Sequence, residues 1–171
     1  MIVGIMSKNY FILQSSQDLD KAYRGIILWF KGKFYEVEAT KKDDIYLIQA
    51  RKTGKVRTLL GANLAFHVKI YKTTDGLTNY PELIIETTRG KWVQNFLGAG
   101  FASFFTASLT IWTGIASASW GWWLENELTI YLEKDLNFQR IKPDATSNSE
   151  INVENNNVSY TNTINLEKSP S

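Results

Sequence analysis

The fold is decided by an alternating run at residues 64–71, which reads LAFHVKIY. Every second residue of this run is apolar: Leu64, Phe66, Val68 and Ile70. A period of two is typical of a β-strand that buries one face. The intervening residues, including His67, are then expected on a second face that is wet or turned toward a partner. We therefore expect a sheet that is covered on its first face and open on its second.

Further runs extend this pattern on both sides. Residues 34–39, 45–51, 62–73 and 82–88 are rich in β-branched and aromatic residues and predict strands, and a short β-prone run lies at 10–14. Between them, residues 19–30 carry apolar side chains three and four positions apart, which predicts a helix with Gly32 as its C-terminal cap. The predicted class is α+β, an antiparallel β-meander of four to five strands with one packed helix.

Residues 92–124 form an uncharged stretch of 33 residues that contains five of the six tryptophans. Trp92 lies at one end and Trp120, Trp122 and Trp123 at the other, which resembles an interfacial aromatic belt. Charge-free runs longer than about 18 residues are typical of membrane spans. We therefore expect residues 92–123 to form a glycine-rich apolar helical hairpin or a transmembrane segment.

Small residues recur at every fourth position of this stretch and would form one helix-packing stripe. They are Gly98, Ala102, Thr106, Thr110, Gly114 and Ala118. The stretch is also rich in serine, threonine and glycine, so a hairpin buried against the sheet of a soluble protein remains an alternative. In that alternative the protein is a module that binds an apolar, lipid-like ligand between sheet and hairpin. The lining residues would be Phe66, Phe101, Phe104, Phe105 and Trp112.

Four segments follow from these patterns. An α+β head spans residues 8–91, and the apolar segment spans 92–123. Residues 124–142 predict an amphipathic helix, whose apolar positions begin at Leu124 and which we expect to pack on the head. Residues 143–171 are dominated by asparagine, serine and threonine and predict a disordered tail.

The amino-acid composition excludes several classes of catalytic and metal site. The chain of 171 residues has no cysteine and a single histidine, which excludes thiolate catalysis, cysteine-based metal sites and multi-histidine metal centres. A formal net charge of +2 is too small to indicate nucleic-acid binding. No catalytic motif is present, so the sequence predicts a non-enzymatic protein with no metal and no cofactor.

One basic turn is a candidate site for phosphate groups. Arg51, Lys52, Lys55 and Arg57 lie close together between two predicted strands. Such a cluster could contact lipid headgroups or nucleic acid. A solvated hairpin turn explains the same residues. Nucleic-acid binding through residues 51–57 is therefore the weaker alternative.

The arrangement resembles small uncharacterised bacterial membrane-associated proteins. The resemblance rests on the short α+β head, the strand end Gly90-Lys91-Trp92, the glycine-rich apolar stretch and the closing helix. It implies a location rather than an activity. We expect a membrane-associated binding or scaffolding protein, with its head and both ends in the cytoplasm. Its expected partner is membrane lipid, with its own copies or a membrane protein as further possibilities.

Overall fold

The computed structural model describes residues 7–54, 64–97 and 115–142, with backbone alone for 115–120. Within these residues, six strands form one antiparallel sheet in the order β2-β3-β4-β5-β1-β6. Their bounds are β1 Ser7–Ile12, β2 Tyr35–Lys42, β3 Ile45–Lys52, β4 Leu64–Thr73, β5 Glu82–Lys91 and β6 Arg140–Ile141. The α+β class is confirmed, although the strand count exceeds the prediction. β6 was not predicted because two residues are too few to show a period.

The alternation of β4 places its apolar residues on the first face, as predicted. Ile70 lies opposite Ile85 of β5, and Val68 lies opposite Ile48 of β3. All four side chains are fully buried or nearly so, and they belong to the main hydrophobic core. Cross-strand apolar pairs of this kind stabilise the sheet and hold its register, because a slip of one residue would expose the whole set.

Helix α1 spans Asp18–Gly32 and packs on the first face through Leu19, Ala22, Ile26 and Phe30. The predicted helix is confirmed, but its predicted cap is wrong. Gly32 is the last helical residue, and Lys33 follows it at φ −96°. The left-handed conformation belongs to Phe34, at φ 61°.

Helix α2 spans Ile115–Lys134 and covers the remainder of the first face. Leu124, Leu128 and Leu132 are buried in the main core, so the predicted packing of this helix on the head is confirmed. The helix begins at Ile115, nine residues before the predicted start, and continues without a break through Trp122 and Trp123. The predicted apolar hairpin or span is not seen in the described part of the chain, and most of it lies in the undescribed residues 98–114.

Within residues 7–54, 64–97 and 115–142, no helix is both long enough and apolar enough to cross a membrane. The chain divides into two units, Met1–Ile141 and Lys142–Ser171. The predicted disordered tail, 143–171, lies outside the described residues.

The second face of the sheet is buried near its centre, which corrects the expectation of an open face. His67 is fully buried there. After β5 the chain turns back over this face, and Val93 and Phe96 pack against Leu47. The side chain of Gln49 holds the turn, because its Nε2 donates to the Val93 carbonyl at 2.8 Å and its Oε1 accepts from the Val93 N–H at 3.0 Å. A period-two pattern identifies two faces but not what the following chain places on them.

Candidate functional site

The two helices form one layer on the first face and run antiparallel. The Tyr131 hydroxyl donates to the carbonyl of Gly25 at 3.3 Å, and its ring centroid lies 6.1 Å from that of Trp29. Beyond the last turn of α1, Lys33 Nζ lies 2.5 Å from Glu127 Oε2. Residue numbers therefore rise along α1 while those of their partners fall along α2. This direction places the middle of α2 beside the C-terminal end of α1.

The exposed residues of α1 are Lys21, Arg24, Leu28, Lys31 and Gly32. The first four are spaced three and four apart, so they form one stripe opposite the buried stripe. Leu28 is 66% exposed. The three charged members are all cations, and none forms a salt bridge with another described residue. The outer side of α1 is therefore basic around an exposed leucine.

The outer side of α2 is aromatic and aliphatic. Trp122 is 70% exposed, Trp123 49% and Ile130 41%. Asn126 and Lys134 are also exposed, and with Trp122 and Ile130 they continue a stripe at spacings of four. We call the exposed residues of both helices the helix-layer surface: Lys21, Arg24, Leu28, Lys31, Trp122, Trp123, Asn126, Ile130 and Lys134.

At the C-terminal end of α1, Lys33 lies between two aromatic residues, one from each helix. Lys33 Nζ lies 5.0 Å from the ring centroid of Trp29 and 5.5 Å from that of Trp123. These are cation–π distances, and Glu127 contacts the same ammonium. The lysine thus fixes Trp123 beside α1 while leaving about half of the indole exposed.

Phe34 follows directly and is unusual in both conformation and exposure. Its φ of 61° lies in the left-handed region, which glycine and asparagine adopt at lower cost than phenylalanine. Its N–H closes the end of the helix by donating to the Lys31 carbonyl at 3.0 Å. The side chain is 81% exposed, so burial does not offset the strain. A strained and exposed aromatic residue indicates a role outside the fold.

The predicted basic turn is described in part. Arg51 forms a two-pronged contact with Glu36, from Nε at 2.6 Å and Nη2 at 2.9 Å, and its guanidinium lies 4.0 Å from the Trp92 ring centroid. Lys52 Nζ donates to the Lys33 carbonyl at 2.7 Å. Burial, and then the charge of Lys33, lower the pKa of Lys52. Both cations therefore contact other groups of the fold.

The remaining predicted site residues fall mostly outside the described chain. They are Lys55, Arg57, Gly98, Phe101, Ala102, Phe104, Phe105, Thr106, Thr110, Trp112 and Gly114. Ala118 lies within α2, where only the backbone is described. Phe66 is described, and it packs against Phe30 of α1 with ring centroids 5.8 Å apart. It therefore faces the helix layer and the main core.

A cluster of charged and polar side chains lies on the second face of the sheet, away from the helices. Glu86 of β5 is reached by Lys8 of β1 at 3.1 Å and by Lys69 of β4 at 3.9 Å. The Tyr71 hydroxyl donates to the same carboxylate at 2.6 Å. Hydrogen bonding with Tyr71, and then with Glu86, raises the pKa of Lys8. These cross-strand contacts join three neighbouring strands and explain why the charges are tolerated there.

Sequence reasoning identified the tryptophans of the helix-layer surface but not its cations. Trp122 and Trp123 were assigned to the end of a membrane segment, and Leu28 was passed over. The basic stripe could have been predicted from the sequence, because Lys21, Arg24 and Lys31 are spaced so that they lie opposite the apolar stripe of the same helix. That these cations and the tryptophans lie on one helix layer could not be predicted, because it depends on how α2 packs beside α1.

Comparison with known proteins gives no relative from which a function could be transferred. No protein-family model, no curated protein and no solved structure matches this chain.

Proposed function

We propose that the protein is a membrane-associated binding protein that attaches peripherally to a lipid bilayer through the helix-layer surface. The observation that carries this proposal is the exposure of two adjacent tryptophans, Trp122 and Trp123, on the outer side of the helix layer that also exposes Leu28 and Ile130. The opposite side of α2 is occupied by the sheet, so this helix would lie along the bilayer rather than cross it. Tryptophan suits the headgroup region because its ring is apolar and its N–H is polar.

Phe34 supports the proposal independently of the helices. It lies directly after Lys33, whose ammonium contacts the Trp29 and Trp123 rings. A phenylalanine held in a left-handed conformation and exposed to solvent costs stability, whereas insertion into the acyl boundary would recover free energy from its apolar area. Phe34 and Trp122 would then act as anchors at the same end of the helix layer.

The test is flotation of the full-length protein with lipid vesicles that contain both neutral and anionic lipid. We expect the wild type to float with the vesicles and Trp122→Gln to bind at least tenfold more weakly. Burying about 100 Å² of indole would contribute about 2.5 kcal/mol. Phe34→Gly is the sharper variant, because it should weaken binding while leaving the protein as stable as before or more stable.

The matched control is Tyr80→Asn. Tyr80 is an aromatic residue outside the helices, and its side chain is 56% exposed. Replacing it with asparagine should leave flotation unchanged. Equal binding by wild type, Trp122→Gln and Phe34→Gly would contradict the proposal. So would a failure of the wild type to float, or a stable dimer in solution that Trp122→Gln converts to a monomer, because a second copy would then cover the surface.

A further inference from the structure

We infer that the lipid surface recognised by the helix-layer surface is anionic, and that the cations of α1 contact its headgroups. The inference rests on the proposed function and adds the class of lipid to it. Every exposed charged residue of α1 is a cation, namely Lys21, Arg24 and Lys31. They flank the exposed Leu28, so apolar and cationic groups occur on the same outer stripe. Basic residues beside an inserted apolar side chain are typical of helices that bind anionic membrane surfaces.

The acidic residues of α1 are turned away from this stripe or already engaged. Asp18 is 8% exposed and accepts hydrogen bonds from the backbone N–H groups of Gln14 and Ser15, at 2.8 Å and 2.9 Å. Asp20 is half-buried and lies 3.6 Å from the ammonium of Lys41. Neither carboxylate therefore cancels the positive charge that α1 presents outward.

None of the acidic residues of α2 forms a salt bridge with Lys21, Arg24 or Lys31. Glu127 contacts Lys33, while Glu125 and Glu133 are only partly exposed. At the end of α2 the exposed Lys134 and Asp135 carry opposite charges, so together they add no net charge to the surface. The positive potential is therefore centred on α1, and α2 contributes chiefly apolar contact. An anionic lipid surface complements both parts, whereas a nucleic acid would leave Leu28 and Ile130 without a partner.

The expected size of the effect follows from the electrostatics of lipid surfaces. Each Lys or Arg near an anionic bilayer raises binding by about fivefold at physiological salt. The attraction weakens as salt rises, because the Debye length falls from about 10 Å at 0.1 M to about 3 Å at 1 M. Removal of two α1 cations should therefore weaken binding to anionic vesicles by about 25-fold, while binding to neutral vesicles changes little.

The experiment compares vesicles of phosphatidylcholine alone with vesicles that also contain phosphatidylglycerol, using the full-length protein. The test variant is Arg24→Gln with Lys31→Gln. The matched control is Lys42→Gln with Lys72→Gln, which removes the same charge from exposed strand residues. We expect the test variant to lose most of its preference for phosphatidylglycerol and the control to retain it. Both doubles should unfold at the wild-type urea concentration within error.

The outcomes separate this inference from the proposed function. Equal binding of the wild type to both kinds of vesicle would overturn the inference while leaving membrane association in place. Equal losses in the test and control doubles would also overturn it, since overall charge rather than α1 would then be responsible. Tighter binding to duplex DNA than to anionic vesicles, lost in the α1 double, would assign these cations to a nucleic acid and overturn it.

Discussion

Tyr131 of α2 donates a hydrogen bond to the backbone carbonyl of Gly25 on α1, with 3.3 Å between the two oxygens. Leu136, which follows α2, fills the space beside the same glycine. A Cβ on Gly25 would lie 2.5 Å from Leu136 Cδ1. The absence of a side chain at Gly25 therefore leaves room for Leu136, which would have to shift to accommodate a Cβ here. The helix-layer surface depends on the packing of the two helices, because it sets the aromatic stripe beside the basic one.

Substitution of Gly25 by alanine should destabilise the protein, although alanine is the better helix former. We expect a loss of about 1–3 kcal/mol from the clash with Leu136. Gly32→Ala is the matched control, since no atom lies within 4 Å of its would-be Cβ, and it should stabilise by about 0.5–1 kcal/mol. Urea unfolding measures both. If Gly25→Ala were as stable as Gly32→Ala, the close approach of Leu136 to Gly25 would be wrong.

A double-mutant cycle tests the same contact directly. Leu136→Ala alone should destabilise through the loss of packing. Combined with Gly25→Ala, it should cost less than the sum of the two single changes, because the smaller side chain leaves room for the new methyl group. Strict additivity would show that the two residues do not touch.

Alanine substitutions on the two sides of α2 should change the stability of the protein by different amounts. Leu128 is 1% exposed in the main core, and Leu128→Ala should cost about 2–5 kcal/mol. Ile130 is 41% exposed, and Ile130→Ala should change stability by no more than about 0.5 kcal/mol. Thermal or urea unfolding distinguishes them. A large loss at Ile130 would mean that the outer side of the helix is covered by another part of the chain.

Burial of His67 should make stability depend on pH. Desolvation lowers its pKa from 6.5 to about 4, against a smaller opposing hydrogen bond with the Lys91 backbone. The unfolded state therefore binds the proton more readily, and acid favours unfolding. The contribution of His67 is constant above pH 6.5, falls as pH drops toward 4, and amounts to about 3 kcal/mol across that window.

The measurement is the urea-unfolding free energy between pH 7 and pH 4, for wild type and for His67→Gln. Since this is the only histidine, its replacement should flatten the upper part of the profile, between pH 5 and 6.5. The steeper loss near pH 4 contains carboxylate protonation and should remain in both proteins. Identical profiles would show that His67 is solvated in the folded protein.

Gln49 should hold the segment that follows β5. Its side-chain amide pairs with both backbone groups of Val93, and these contacts are buried. Gln49→Leu leaves the Val93 N–H and carbonyl without these partners, and we expect a loss of about 2 kcal/mol or more. Hydrogen exchange of the Val93 amide should accelerate in the variant. Unchanged protection would mean that other groups hold this segment.

Much of the sheet and its first helix could be predicted, because the signal in each case is local. The alternation at 64–71 and the spacing of Leu19, Ala22, Ile26 and Phe30 depend only on the geometry of one strand and one helix. The start of α2 was missed because residues 115–123 carry apolar and small residues on all sides, so no polar boundary marks where the helix begins. β6 was missed because its pairing with β1 is a long-range contact.

The candidate site was predicted less completely than the fold. Tryptophan content alone indicated an interfacial surface, whereas the positions of Trp123 and Lys33 depend on a contact between residues 90 apart in the sequence. Arg51 was predicted as part of a basic turn that a solvated hairpin would also explain. Its contacts with Glu36 of the neighbouring strand and with Trp92 beyond β5 could not be predicted, because they join separate segments.

The sequence by itself determined the α+β class, the inward stripe of α1 and the aromatic character of the residues before Leu124. Each of these follows from the spacing of side chains along a single element. Only the tertiary structure decided that His67 is buried, that α2 lies antiparallel beside α1, and that exposed tryptophans and α1 cations share one surface. These properties depend on which distant segments meet, and the free energy of that packing is distributed over both partners of every contact.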